Sequence, residues 1–388
     1  MKKRILIFVL ILFSISDLSA QWECPSLLGA SLKPIGKSKI FWGSEITAGA
    51  GYLNNNAIFN SMGLIGLDRS GKKWTIYAEG GYKFWDIYDL DTKQNLKNFH
   101  LGIRELLFQY KSRYGKFTAG IQSARLDDYF LLNERILGLN YKYSSGSWSL
   151  NFTGGTVMKA FARNGTFCAV GYLYDIVPGR EIALLGNKPG QTNLVAATLK
   201  FSPLRFIDHA GLALYYEFGS WVEKPLFTGG LFASFALPGG ISFNPEILYQ
   251  SANDNNAIIY LLSLEKLITG EKLRTTINMR YSGFSPLDES AKILNSFSNM
   301  FAGNVLRLDS GDLPFIQTSL KFSVPPVRTH LKIQYTAQTR KNAMQEFDVE
   351  LGKKFKKHLQ INAVGAMVKS PLLEKRAILG RIEFRFYF

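Results

Sequence analysis

The stretch Ile378-Leu-Gly-Arg-Ile-Glu-Phe-Arg-Phe-Tyr-Phe388 decides the fold. Ile378, Gly380, Ile382, Phe384, Phe386 and Phe388 fall on one side of an extended chain, and Leu379, Arg381, Glu383, Arg385 and Tyr387 on the other. A separation with period two belongs to a β-strand. One face suits hydrocarbon and the other carries ions, so the strand divides lipid from water, as a transmembrane barrel strand does. A soluble sandwich strand also alternates, but three phenylalanines ending its apolar side suit lipid better.

The same period recurs upstream. In 272–282, Leu273, Thr275, Ile277, Met279 and Tyr281 oppose Lys272, Arg274, Thr276, Asn278 and Arg280. In 315–324, Ile316, Leu320 and Phe322 oppose Gln317, Ser319 and Lys321; in 328–338, Leu331, Ile333 and Tyr335 oppose Lys332, Gln334 and Thr336. Each run has the roughly ten residues that cross a bilayer when tilted. Strands are predicted at 38–50, 57–68, 73–86, 99–111, 115–124, 134–144, 147–158, 191–201, 209–218, 225–236, 240–250, 256–267, 272–282, 313–324, 328–338, 344–354, 357–368 and 376–388. The fold class is all-β, a transmembrane antiparallel β-barrel of about 18 strands, within about 16 to 20. Thr166–Asp175 and Glu181–Gly186 read as two more strands or as one folded loop, and both readings stay open. In 99–111 the parity breaks at Arg104-Glu105-Leu106-Leu107, which predicts a bulge.

Short turns at Arg69–Lys72, Ser144–Ser147, Leu237–Gly240, Thr269–Glu271 and Pro325-Pro326 alternate with longer links such as 87–98, 125–133, 251–255, 283–312 and 369–375. Short turns at one end and long loops at the other are barrel topology, with the short-turn end and both termini in the periplasm. Trp74 and Trp148 open strands after short turns, and Trp85, Tyr249 and Tyr281 fall at the opposite ends, which suggests two interfacial belts. In the longest link, Gly283–Asp312, a helix is expected over Glu289–Ala302, capped by Asp288 and stopped at Gly303. Ile293, Leu294, Phe297, Met300 and Phe301 would share one face. Either the segment enters the lumen and narrows it, making Asp288, Phe297 and Phe301 constriction residues, or it packs outside on neighbouring loops.

Lys2, Lys3 and Arg4 precede the apolar run Ile5–Phe13, and a small-residue stretch closes at Ser19-Ala20. This reads as a signal peptide over 1–20, leaving a barrel over 21–388. The apolar run is too short to span a bilayer as a helix. Cys24 follows Gln-Trp-Glu rather than the small apolar residues of a lipidation site. Whether Cys24 and Cys168 pair stays open; no CxxC or Cys/His cluster points to zinc, and no cofactor is expected.

The chain has 388 residues, 46% of them hydrophobic, yet its mean hydropathy is −0.01, as strands with one wet face require. The formal net charge of +16 falls only to +14 when Lys2, Lys3, Arg4 and Asp17 are removed with the leader. An export signal argues against nucleic acid as the partner, leaving an anionic lipid surface or an anion-favouring lumen. By strand parity the inward cations are Arg274, Arg280, Lys321, Lys332, Arg381 and Arg385, and the inward acids include Glu217, Glu246, Glu265, Asp348, Glu350 and Glu383. Guanidinium groups lining a narrow passage attract carboxylates or phosphates and repel cations. Paired across strands, the same charges only solvate the wall.

A hydrolase needs a nucleophile, a base and an orienting partner within reach. His209, His330 and His358 fall at periplasmic strand ends, and only His100 lies near the outer rim, with Asp127 and Asp128 nearby. No phosphate loop and no Gly-x-Ser-x-Gly elbow occurs, so the reading is not an enzyme.

Three motifs carry a family resemblance: Arg104-Glu-Leu-Leu-Phe-Gln-Tyr-Lys111, Gly115-Lys-Phe-Thr-Ala-Gly-Ile-Gln122 and Asp128-Tyr-Phe-Leu-Leu-Asn-Glu-Arg-Ile-Leu-Gly138. They are similar to the early strands of porins related to the alginate-export barrels. Ile121 stands where that family often carries an arginine. The terminal Phe384, Phe386 and Phe388 resemble the C-terminal aromatic signature of Gram-negative outer-membrane barrels, the signal for the barrel-assembly machinery. The resemblance implies an outer-membrane, 18-stranded passive channel for small anionic or saccharide solutes, with Arg104 and Arg135 at the lumen or loop base. Its implied partners are outer-membrane lipid, the assembly machinery and the solute. The alternative is a non-channel barrel, a structural or assembly partner in surface export.

Overall fold

The strands follow from alternation: each has one apolar and one polar row, and closing the sheet buries the polar row while pairing every strand edge. The computed structural model describes residues 33–34, 40–125, 133–157, 193–202, 207–219, 225–252, 255–287, 300–301, 307–308, 314–339, 343–356, 358–371 and 376–388. Residues 1–32, both cysteines and residues 158–192 lie outside the described residues.

Eighteen antiparallel strands form a closed barrel. They are β1 (Ile40–Leu53), β2 (Asn56–Ser70), β3 (Trp74–Asp89), β4 (Asn95–Ser112), β5 (Gly115–Arg125), β6 (Asn133–Ser145), β7 (Trp148–Val157), β8 (Asn193–Phe201) and β9 (Ile207–Phe218). They continue as β10 (Leu226–Leu237), β11 (Ile241–Ala252), β12 (Asn255–Thr269), β13 (Arg274–Pro286), β14 (Phe315–Val324), β15 (Thr329–Gln338), β16 (Gln345–Phe355), β17 (Leu359–Lys369) and β18 (Ala377–Tyr387). Each pairs with the next, and β18 pairs with β1 from Glu45↔Tyr387 to Leu53↔Leu379. Lys33–Pro34 lies alongside Phe41 and Trp42, beyond the end of β18, and is not part of the ring. All the predicted segments are strands, with ends shifted by a few residues.

The turns at 71–73, 113–114, 146–147, 238–240, 270–273 and 325–328 lie at one end. Gly239 and Gly240 adopt φ of 77° and 70°, a left-handed pair open to glycine and costly for side chains bearing Cβ. Pro325–Val327 forms a single 3-10 turn.

The predicted bulge is present. Glu79 pairs with Glu105 but Gly80 pairs with Ile103, so Arg104 is the extra residue. Before it Phe99, Leu101 and Ile103 point outward; after it Leu106, Phe108 and Tyr110 do. Leu101 is 71% exposed, whereas Arg104 and Glu105 are both buried. A regular strand would turn one of these two charges to the lipid, costing about 2–4 kcal/mol for an arginine at the bilayer midplane.

One expectation is corrected. Met300–Phe301 pairs with Arg307–Leu308 as a short ribbon, so the predicted helix does not run through Ala302; the amides of these residues are satisfied across strands instead. Asp288 and Phe297 lie outside the described residues. Trp148 and Tyr249 do face outward at strand ends, exposed as an interfacial belt requires.

Candidate functional site

Register assigns each inner residue, because a side chain shares its face with its cross-strand partner. The inner face divides along the barrel axis. Toward the long links it is mainly apolar: Leu53, Ile58, Ile136, Leu194, Leu248, Ile259, Phe315 and Val368 belong to one buried cluster. Ile136, Leu194, Ile259 and Val368 are 0% exposed. The same layer encloses Glu217, Gln250, Ser282 and Glu346 at 0% exposure, so it is a dry, packed section of the interior with polar groups held inside it.

Toward the short turns the lining is charged. On β13–β15 the cations Arg274, Arg280, Lys321 and Lys332 all face inward, with Lys321 directly opposite Lys332. Lys332 in turn faces Glu350 on β16, and His330 Nε2 lies 3.1 Å from Glu350 Oε1. Arg274 and Lys321 have no carboxylate partner among the described residues, and both are half-buried.

On β18 the carboxylate of Glu383 sits between two guanidinium groups. Arg385 Nε donates to Glu383 Oε1 at 2.6 Å, and Arg381 Nη2 lies 3.6 Å from Oε2. Residues 381, 383 and 385 share the inner face because the period is two. On β3 and β4, Arg104 Nη1 donates to Glu79 Oε1 at 2.7 Å with side chains 2% and 0% exposed. The Tyr77 hydroxyl donates to the other Glu79 oxygen. The bulge delivers Arg104 to this carboxylate, and the pair holds the wall together.

The sequence-predicted cations therefore separate into two chemical kinds. Arg104, Arg381 and Arg385 neutralise buried acids, Arg274 and Lys321 meet the wetted lining, and Lys332 stands between Lys321 and Glu350. Arg135 stands opposite Ser123 near the start of β6. Ile121 pairs with outward Leu106, so position 121 carries no charge into the lumen. The predicted inward acids Glu217, Glu246, Glu265, Asp348 and Glu350 are in inner rows.

Sequence parity missed a second basic row. Lys111 pairs with Lys116, and Lys116 with Lys142, so three lysines line one inner wall at the short-turn end. They lie within electrostatic reach of one another and none has a carboxylate partner among the described residues. Carrying the bulge through β4 would have found Lys111, since it shifts every later residue by one face. Glu45, Glu79 and Glu105 were missed in the same region. His100 pairs with Lys83, and Asp127 and Asp128 lie outside the described residues.

No protein-family model and no curated protein sequence matches this chain. Solved structures share its fold. Pseudomonas aeruginosa OccK5 (OpdH) superposes with a TM-score of 0.54 at 9% identity, covering 90% of this chain and 98% of that one. OccD3 (OpdP) of the same organism gives 0.53 at 10% identity, covering 92% and 93%. Acinetobacter baumannii OccAB4 gives 0.52 at 11% identity, covering 92% and 100%. The chain has the outer-membrane porin fold, and its closed ring and exposed apolar belt suit the cell outer membrane.

Proposed function

We propose that this protein is a passive outer-membrane channel that prefers small anions, with saccharides as the alternative solute class. Arg274 and Lys321, without a carboxylate partner among the described residues, carry this reading, with Lys332 set against Lys321. Like charges directly opposite on a sheet destabilise it, so their placement on the wetted face favours a role outside folding. Lys111, Lys116 and Lys142 add positive potential on another wall. Cations on such a lining lower the barrier for a carboxylate or phosphate and raise it for a cation. The reading needs no energy source and no cofactor. Phe384, Phe386 and Phe388, exposed on the outer face of β18, would be read by the barrel-assembly machinery.

Purified barrel in planar bilayers under a salt gradient tests the reading. Stepwise conductance with an anion-selective reversal potential is expected, and cation selectivity overturns it. Block by polysaccharide fragments would select the saccharide class.

The dry layer favours a second reading, a barrel closed near its long-link end that acts as a structural or assembly partner in surface export. Complete absence of conductance from correctly folded protein would select it.

A further inference from the structure

The short-turn rim carries cations that the lumen does not use. Among the described turn residues at that end stand Lys72, Lys73, Arg113, Lys272, Arg328 and Lys356, against the single acid Glu271. One sector is organised. Arg328 Nη1 donates to the Lys356 carbonyl oxygen at 2.8 Å, tying the β14–β15 turn to the β16–β17 turn. The Lys354 amide donates to the Arg328 carbonyl at 2.9 Å. Beside them Lys353 lies on the lipid-facing side of β16, between outward Leu351 and Phe355, with its ammonium 5.2 Å from the Phe355 ring centroid. Arg328, Lys353 and Lys356 are exposed, and none has a carboxylate partner among the described residues.

Next to these cations runs an apolar row. Phe355 pairs with Leu359, and Leu359 with Phe386, across three neighbouring strands on the outer face. Val327, exposed in the adjoining turn, extends it. Three unpaired cations at the foot of a lipid-facing apolar row match a molecule with an anionic head and a hydrocarbon body. A soluble acidic protein would satisfy the cations but not the row above them.

We propose that this sector, between the β14–β15 turn and β18, binds an anionic phospholipid of the periplasmic leaflet. Its phosphate would lie among Arg328, Lys353 and Lys356, and its acyl chains against Phe355, Leu359 and Phe386. The site holds whether or not the lumen conducts. It assigns part of the net charge of +16 to the membrane surface rather than to a solute. Each cation near an anionic surface strengthens attachment roughly fivefold, and salt weakens it.

Native mass spectrometry of the detergent-purified barrel, titrated with equal phosphatidylglycerol and phosphatidylcholine, tests this. Wild type is expected to retain phosphatidylglycerol preferentially, and R328Q/K353Q/K356Q to lose about tenfold or more of that preference. Lys93→Gln, at the opposite end, should leave it unchanged. Should the triple variant fail to fold, Lys353→Gln alone leaves both turns intact and should still lose several-fold. Equal retention of both lipids by wild type, or an unaltered preference in the variants, overturns the site. An acidic periplasmic protein would then be the better partner for the rim.

Discussion

Near the long links the barrel interior presents Ile136, Leu194, Ile259 and Val368, which no solvent reaches. Near the short turns it presents Lys111, Lys116, Lys142 and Arg274, which water wets. The same strands build both regions with the same alternation, so strand period does not distinguish them. What differs is the chemistry of the inward row. Apolar residues let one section pack like a soluble core, and charges keep the other hydrated. A barrel of this kind has two kinds of stability, and substitutions should tell them apart.

The largest effect is expected where charge and dryness meet. Arg104→Met leaves Glu79 buried without its guanidinium, which should cost about 3–5 kcal/mol. The urea midpoint of the folded barrel would report it, and a near-neutral result would remove the pair from the wall's structural role. Next, Leu248→Ala in the dry layer should cost about 2–4 kcal/mol by leaving a cavity. The same truncation at lipid-facing Leu231 should cost less, because lipid tails fill the gap; equal losses would erase the distinction between the two faces.

In the wet region, function should move while stability stays. Arg274→Gln with Lys321→Gln should lower the anion-to-cation permeability ratio by roughly fivefold, about 1 kcal/mol of barrier, with a urea midpoint no lower than wild type because repulsion from Lys332 is relieved. The smallest expected effect is a gain. Lys116→Gln relieves repulsion from Lys111 and Lys142 and should stabilise the barrel by about 0.2–1 kcal/mol. A loss there would mean that the lysine row has an unrecognised anionic partner.

Most of the fold was legible because alternation writes both strand and face into the chain. The terminal strand, the hairpin turns and the broken parity at Arg104 were all readable one residue at a time. The inward cations Arg274, Arg280, Lys321, Lys332, Arg381 and Arg385 followed from the same parity. What stayed hidden depends on registers between strands. Nothing local tells that Arg104 meets Glu79, 25 residues away, or that Lys111, Lys116 and Lys142 line up. The dry layer was hidden for another reason: an inward leucine reads the same whether it lines water or packs against a neighbour.

The seam between β1 and β18 has a practical consequence. The Ser44 and Phe388 main chains exchange hydrogen bonds, of 2.9 and 3.3 Å, so the two ends of the ring already touch. No strand boundary is then topologically special. A circular permutant with Phe388 linked to the start of β1, and new termini cut into the 270–273 turn, should refold in detergent to the same cylinder. Its short-turn rim would then be addressable by fusions in a sector away from the β1–β18 seam.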